Sequence, residues 1–190
     1  MMAKTKSLLT AGLRGTVGGT LVFRRLNGET VVAAAPVPSS KQPSEGQVLQ
    51  RERFRLASLY AKRALNDPEL QIDYELLAKA KKLPSARAAA IADYFRSPEI
   101  LNAKISTEES GAVVVEAIVV DYLRVKSVTI SAISPDGPVL ETGNGVLGND
   151  NQTWTYTVQD SAGLVAGISF EITATDLPGN VTTKSFDYQV

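Results

Sequence analysis

The chain has no cysteine and no histidine. These absences exclude disulfide bonds, zinc sites built on Cys or His, cysteine nucleophiles and catalytic triads that need histidine. Hydrolysis by paired carboxylates and oxygen-ligated Mg²⁺ or Ca²⁺ stay open. Because the sequence shows no convergent set of polar residues, we expect a protein that is not an enzyme and holds no cofactor or metal. A pocket with two carboxylates, one with a strongly raised pKa, would argue against that expectation.

Long apolar runs are also missing. No run approaches the roughly 20 residues that cross a bilayer, which predicts no membrane partner. The segment from Met1 to Arg14 lacks the run of roughly 7–15 apolar residues that a signal peptide needs. We therefore expect the chain to be made in the cytoplasm without a signal peptide. Its 44% hydrophobic and 21% charged residues are typical of a folded globular protein.

The net charge of zero conceals a division of charge along the chain. Residues 1–100 hold sixteen Lys or Arg against nine Asp or Glu, whereas residues 101–190 hold four against eleven. A sign change at one point of the chain indicates a domain boundary and two halves with different surroundings. Two ordinary domains of differing composition would give the same division.

Residues 1–43 predict an extended arm that contains a β-hairpin and ends in a Pro-rich linker. The glycine-rich run lacks the Lys-Ser/Thr ending of a phosphate loop and the spacing of a dinucleotide-binding loop. Asn27-Gly28 lies between two β-rich runs, Leu21–Leu26 and Glu29–Ala33, and predicts a two-residue turn. We expect a two-stranded ribbon, which leaves both edges open to other chains.

Residues 44–98 predict a small helical domain of three helices. Ser44 and Gln47 form a capping box at the first helix, which runs to about Leu65 with one apolar stripe that includes Leu49 and Phe54. Asp67 and Pro68 are typical of the start of the second helix. A third, alanine-rich helix follows Ser85 and ends before Ser97-Pro98.

Residues 99–190 predict a β-sandwich of about seven strands, because short β-branched runs alternate with turns rich in Gly, Pro, Asn and Asp. The lone Trp154 is expected to be a packing residue in a strand, although ligand stacking is an alternative. Asp176, Asn180 and the run Asn149-Asp150-Asn151 are expected to serve tight turns, with Ca²⁺ binding as the alternative.

The stretch Ile172-Thr-Ala-Thr-Asp-Leu-Pro-Gly-Asn-Val-Thr-Thr183 resembles the end of bacterial immunoglobulin-like modules. Such modules occur in adhesins and on phage virions and bind other proteins or glycans. The resemblance implies an immunoglobulin-like β-sandwich and gives no ligand.

The stretch Gly12-Leu-Arg-Gly15-Thr-Val17-Gly18, followed by the hairpin, Pro43-Ser-Glu45-Gly-Gln47 and Arg51-x-Arg53-Phe54, is similar to an uncharacterised family from Bacteroidota and their phages. Gly46 departs from the family pattern in the capping region, and basic residues around the hairpin are sparse. The resemblance implies a phage or prophage origin and no activity.

From these features we expect an α+β fold and a structural protein of a phage virion, such as a capsid-decoration or head-fibre-type protein. The basic half would anchor it to other virion subunits, in an oligomer or lattice, and the acidic module would project outward. A bacterial surface adhesin and a nucleic-acid-binding protein are the alternatives. The residues expected to make assembly contacts are Gly12, Gly15, Gly18, Phe23, Arg24, Arg25, Asn27, Gly28, Val31, Val32, Arg51 and Arg55.

Overall fold

The computed structural model describes residues 10, 12–26, 28–37, 42–160, 164 and 167–188, and for residues 2–5 the backbone alone. The chain divides into two compact units, Met1–Val48 and Leu49–Val190. Each unit is described by itself below.

The first unit is a four-stranded antiparallel sheet with the strand order β1-β4-β3-β2. Its strands are β1 (Met2–Thr5), β2 (Gly15–Val17), β3 (Leu21–Leu26) and β4 (Glu29–Ala34). The predicted hairpin is confirmed, because β3 pairs with β4 and Leu26 lies opposite Glu29. Gly28 has a φ of 84°, which suits a turn that favours glycine. Asn27, the other predicted turn residue, lies outside the described residues.

The expectation of a two-stranded ribbon is wrong. β1 pairs with the outer edge of β4, and β2 pairs with the outer edge of β3. The hairpin therefore occupies the middle of the sheet, and the open edges belong to β1 and β2. The extended arm of the sequence analysis is accordingly a sheet over much of its length.

Three helices follow the sheet along the chain, α1 (Glu45–Ala64), α2 (Pro68–Ala80) and α3 (Ala86–Tyr94), and the second unit begins within α1, at Leu49. The capping box is present, because the Gln47 amide donates to Ser44 Oγ at 3.4 Å and the Ser44 amide donates to Gln47 Oε1 at 3.2 Å. Asp67 caps α2 by accepting from the amide of Glu69 at 2.9 Å. These local signals begin the helices where the sequence predicts them.

The helices pack through small side chains and one tyrosine. Tyr74 is fully buried, and the residues that surround it in this cluster are Ala61, Ala64, Ala78, Ala89 and Ala90. The buried residues of α1 are Ala57, Ala61 and Ala64, all in its second half. The predicted apolar stripe is therefore wrong at its start, since Leu49 is 65% and Phe54 53% exposed.

The same unit continues into a β-sandwich of two antiparallel sheets, with the orders β5-β6-β10-β9 and β12-β11-β7-β8. Its strands are β5 (Glu99–Thr107), β6 (Val113–Val120), β7 (Val125–Ile133), β8 (Val139–Asn144), β9 (Val146–Leu147), β10 (Thr153–Thr157), β11 (Ser169–Asp176) and β12 (Val181–Asp187). Seven of these strands lie at the predicted positions, and β9 is an addition.

Alternate residues of both sheets form one hydrophobic core. Phe170, Ile172 and Ile130 are fully buried on one sheet and meet Val115 and Ala117 of the other. Trp154 belongs to this core and is 6% exposed, so its predicted packing role is confirmed. The chain thus has an α+β fold with a C-terminal β-sandwich. The division into domains 1–43, 44–98 and 99–190 stays a prediction.

Gly143→Ala is expected to destabilise the sandwich by about 1–3 kcal/mol, because an added Cβ would overlap the ring of Tyr156, which donates a hydrogen bond to Glu141. Gly46→Ala is the matched control: nothing lies near its Cβ position in α1, and alanine favours a helix by up to about 1 kcal/mol. Urea denaturation of both variants measures the difference. Equal stability of the two variants would show that the Tyr156 ring moves aside at no cost.

Candidate functional site: the N-terminal sheet and the acidic junction

The predicted assembly residues lie in both units. Gly12, Gly15 and Gly18 have positive φ angles of 86°, 101° and 59° around β2. The other predicted residues of the first unit lie on the hairpin: Phe23 and Val32 half-buried, Arg24, Arg25 and Gly28 exposed, and Val31 buried. Asn27 is outside the described residues.

The remaining two predicted residues, Arg51 and Arg55, are exposed on α1 in the second unit. Arg55 Nη2 lies 2.6 Å from Glu52 Oε1, and this hydrogen bond raises the pKa of Arg55 and lowers that of Glu52. Both groups are solvated, so the pair is an exposed one of the kind that adds little stability.

One face of the N-terminal sheet is apolar over most of its length, and Arg25 and Thr30 lie at one end of it. Direct cross-strand partners lie on the same face, and Leu21 lies opposite Val17 and Ala34. Phe23 lies opposite Gly15 and Val32, two positions further along the same face. Val17 is 54% and Leu21 43% exposed. We call this set the apolar face: Val17, Leu21, Phe23, Val32 and Ala34.

The opposite face of this sheet is mixed. Arg24 lies opposite Val31, and Leu26 lies opposite Glu29. Among the residues that the structure describes, none from this unit belongs to a hydrophobic core cluster. A single antiparallel layer leaves its apolar side chains in water unless a second layer covers them. The apolar face therefore has the properties of a surface that a partner covers.

A second feature is a buried group of carboxylates within the unit Leu49–Val190, which we call the acidic junction. Its members are Asp93 at the end of α3, Asp121 after β6, and Asp176 at the end of β11, together with Tyr60 and Tyr74. The Tyr74 hydroxyl donates to Asp93 Oδ2 at 2.6 Å, and Tyr60 Oη lies 2.7 Å from Tyr74 Oη. Asp93, Asp176 and Tyr74 are each 0% exposed.

Burial controls the ionisation of the acidic junction. It raises the pKa of Asp93 to about 7, an effect opposed by the hydrogen bond from Tyr74 and reinforced by the charges of Asp121 and Asp176. Burial also raises the pKa of Asp121 and, to about 12, that of Tyr60. Asp93 Oδ1 and both carboxylate oxygens of Asp121 are buried without a hydrogen-bond partner in the described chain. Protonated Asp93 is therefore the favoured form below about pH 7.

Asp176 and Asn180 tie the last hairpin to the end of the helical segment. Asp176 Oδ1 accepts from the amides of Gly179 at 2.7 Å and Asn180 at 2.6 Å. Asn180 Nδ2 donates to Asp176 Oδ2 at 2.7 Å, to the Arg96 carbonyl at 2.9 Å and to the Tyr94 carbonyl at 3.2 Å. The predicted turn role of these two residues is present, and Asn180 adds a connection across the unit.

The acidic junction has the raised pKa that would argue for an enzyme, and its Asp121 lines an open groove together with Glu99. Asp93 and Asp176 have no exposed surface, so a substrate reaches them only if the helices separate from the sandwich. Within the part of the chain that is described, no three acidic side chains are arranged to hold a metal ion. In the same residues no helix is long and apolar enough to cross a membrane.

Sequence reasoning missed the acidic junction, although one signal was available. Ala86, Ala89, Ala90 and Asp93 follow the i, i+3, i+4, i+7 spacing of one helix face, and the alanines of that face pack in the helical core. A carboxylate on an otherwise apolar face needs a buried partner. The spacing predicts that Asp93 is buried but not that Tyr74 is its partner.

Comparisons with known proteins show neither a family nor a function for this chain. No protein-family model matches the chain, and no curated protein matches it. A crystal structure of an engineered protein at 1.98 Å superposes with a TM-score of 0.32 and 17% identity. That match covers 48% of this chain and 21% of the engineered protein. A superposition of this quality transfers neither a family nor a function.

Proposed function

We propose that this protein is a non-enzymatic structural subunit of a phage virion, of the capsid-decoration or head-fibre type. In this proposal the N-terminal sheet anchors the chain to other virion subunits. The C-terminal sandwich is an immunoglobulin-like module that projects outward. The residues of the anchor are the apolar face together with Arg25, which follows Phe23 on the same face of β3.

The observation that carries the proposal is the uncovered apolar face. Val17 and Leu21 expose about half of their side chains on a sheet that contributes to no core cluster of the described residues. Apolar residues that lie together at the surface mark sites of association. The unit is also basic, with six Lys or Arg against two Asp or Glu in residues 1–48. A basic, apolar sheet suits docking on an acidic protein surface.

The sandwich supports the other half of the proposal. It has its own core, built from fully buried residues such as Phe170 and Ile130. Its seven main strands and the Asp176–Asn180 turn fit the immunoglobulin-like modules that the sequence resembles. Modules of that kind act by binding, which agrees with a displayed role in a particle.

The test replaces Val17 and Leu21 together with aspartate and follows the chain into particles. Wild-type protein is expected to co-sediment with virus-sized particles in a density gradient of lysate from producing cells. The V17D/L21D chain is expected to stay at the top of the gradient, because two carboxylates on the apolar face oppose burial. Immunoblots of the gradient fractions measure the distribution.

Leu26→Asp is the matched control, because Leu26 is 56% exposed on the opposite face of the same sheet. It is expected to enter the particles as wild type does. Wild-type protein that never leaves the top of the gradient would refute a virion role. Unchanged incorporation of V17D/L21D would refute the apolar face as the anchor.

A further inference from the structure

Among the described residues, one edge of β10 has no neighbouring strand over its last two residues. The chain leaves β8 at Asn144, crosses to the other sheet at Gly145, and forms the two-residue strand β9. β9 lies opposite only Trp154 and Thr155 of β10. In the described residues, Tyr156 and Thr157 therefore have a strand neighbour on one side alone, which is β6. A groove occupies the other side and is lined by Asn144, Val146, Thr155, Tyr156, Thr157 and Gln159. We call it the β10 slot.

The β10 slot has the features of an acceptor for an extended strand. The Thr157 carbonyl accepts a hydrogen bond from the Gln159 side-chain amide at 3.2 Å, where a neighbouring strand would supply a backbone amide. Val146, which lines the slot, is 71% exposed. An open edge with exposed apolar side chains is a template for pairing with another chain.

Charge restricts which strand fits the β10 slot. From Ser127 to Thr183 the sequence contains six Asp or Glu and no Lys or Arg. The residues that line the slot are uncharged, but Glu141 accepts hydrogen bonds from the amides of Gln159 and Asp160 at its end. Pairing of this edge with the same edge of a second copy would bring these acidic groups together and is unfavourable. The complementary strand is therefore basic.

The chain itself carries such a strand. β2 is an edge strand of the N-terminal sheet, and its three residues are all exposed. Arg14 precedes it, and the unit Met1–Val48 is basic. β2 thus combines an open edge with a positive charge next to it, on Arg14.

We propose that β2 of one copy adds to β10 of a second copy, so that subunits join head to tail. This inference rests on the proposed function, because it takes the N-terminal sheet to be an assembly element, and it names a second copy as the partner. A head-to-tail contact uses two different surfaces and generates rings or open chains. A strand pair this short buries little area, so association through a single contact is expected at high protein concentration.

The test uses two variants that each remove one side of the contact. R14E/T16E makes β2 acidic and leaves the apolar face intact, whereas V146K puts a bulky cation beside the slot. By sedimentation velocity, wild type is expected to form larger species as its concentration rises. Each variant alone is expected to remain a single chain. An equimolar mixture is expected to form a dimer and nothing larger, because only one productive contact remains.

Val181→Lys is the matched control, since Val181 is 56% exposed on β12, at the opposite edge of the sandwich. It is expected to associate as wild type does. Association of V146K like wild type, or a mixture that stays monomeric, would overturn the inference. If V146K enters particles normally while V17D/L21D does not, the proposed function stands and the contact between copies is refuted. If neither wild type nor any variant enters particles, the proposed function fails, and the mixing result decides the contact independently.

Discussion

Replacing Asp93 with asparagine is expected to stabilise the protein by about 2–4 kcal/mol at pH 8 and to leave its stability nearly unchanged at pH 3. The wild-type carboxyl is completely buried, accepts a hydrogen bond from Tyr74, and has its pKa raised by burial to about 7. At pH 8 the folded protein therefore holds a buried charge. Asparagine keeps an oxygen for Tyr74 and removes that charge.

The sign follows from the direction of the pKa change. A carboxyl with a raised folded-state pKa binds its proton more tightly when the protein is folded. Its contribution to stability is fully present below its ordinary pKa of 3.8 and is lost as the pH rises through about 7. A change of about three pKa units corresponds to about 4 kcal/mol, which bounds the effect from above. Burial also raises the pKa of Asp121. Because Asp121 is present in both wild type and D93N, it changes the stability of both with pH in the same direction.

Urea denaturation from pH 3 to pH 8 measures this difference directly. Asp136→Asn is the matched control, because Asp136 is an exposed turn residue whose loss is expected to change stability by less than about 0.5 kcal/mol at any pH. If the free energies of unfolding of D93N and wild type stay parallel over the whole range, Asp93 ionises in the folded protein without cost. The account of the acidic junction would then be wrong.

The second large effect is expected for Asn180→Ala, at about 2–4 kcal/mol of lost stability. The change removes the donor that joins the Tyr94 and Arg96 carbonyls to Asp176 Oδ2, at 3.2, 2.9 and 2.7 Å. Asp176 is 0% exposed, so its carboxylate loses a hydrogen bond that water does not replace. The amides of Gly179 and Asn180 still hold its other oxygen.

Thermal unfolding and amide hydrogen exchange measure the consequence of this change. The melting temperature is expected to fall, and exchange is expected to quicken in residues 94–97, where the helical segment joins the sandwich. Asn149→Ala, in an exposed turn of the same sandwich, is the control and is expected to melt as wild type does. Equal melting of both variants would show that Asn180 serves only its own turn.

The features that sequence predicts well are those fixed by residues close together in the chain. Ser44 and Gln47 are three residues apart, and each satisfies the other's amide at the start of α1. The turn from β3 to β4 contains Gly28, whose φ is 84°. Pro-Gly at 178–179 joins β11 to β12 at the predicted place. Local hydrogen bonding and allowed backbone angles decide such structures, so the residues themselves carry the signal.

The features that sequence did not predict depend on residues far apart. β1 pairs with β4 across about thirty residues, and neither strand has a local signal that names the other. The acidic junction joins Asp93, Asp121 and Asp176 from three separate elements, and only the spacing of α3 hinted at one of them. The exposed start of α1 has the same origin, because an apolar pattern shows a face without showing whether anything covers it.

The position of Asn180 gives the molecule a defined route for mechanical force. If the N-terminal half is held and the C-terminal end of the sandwich is pulled, tension enters the sandwich through residues 96–98, which lead into β5 at Glu99. The side chain of Asn180, in the hairpin of β11 and β12, donates hydrogen bonds to the Tyr94 and Arg96 carbonyls just before that segment. Tension on the chain therefore reaches these bonds before it reaches the pairing of β5 with β6. If the module is displayed on a particle, the hydrogen bonds of Asn180 to the Tyr94 and Arg96 carbonyls are the first contacts that shear must break.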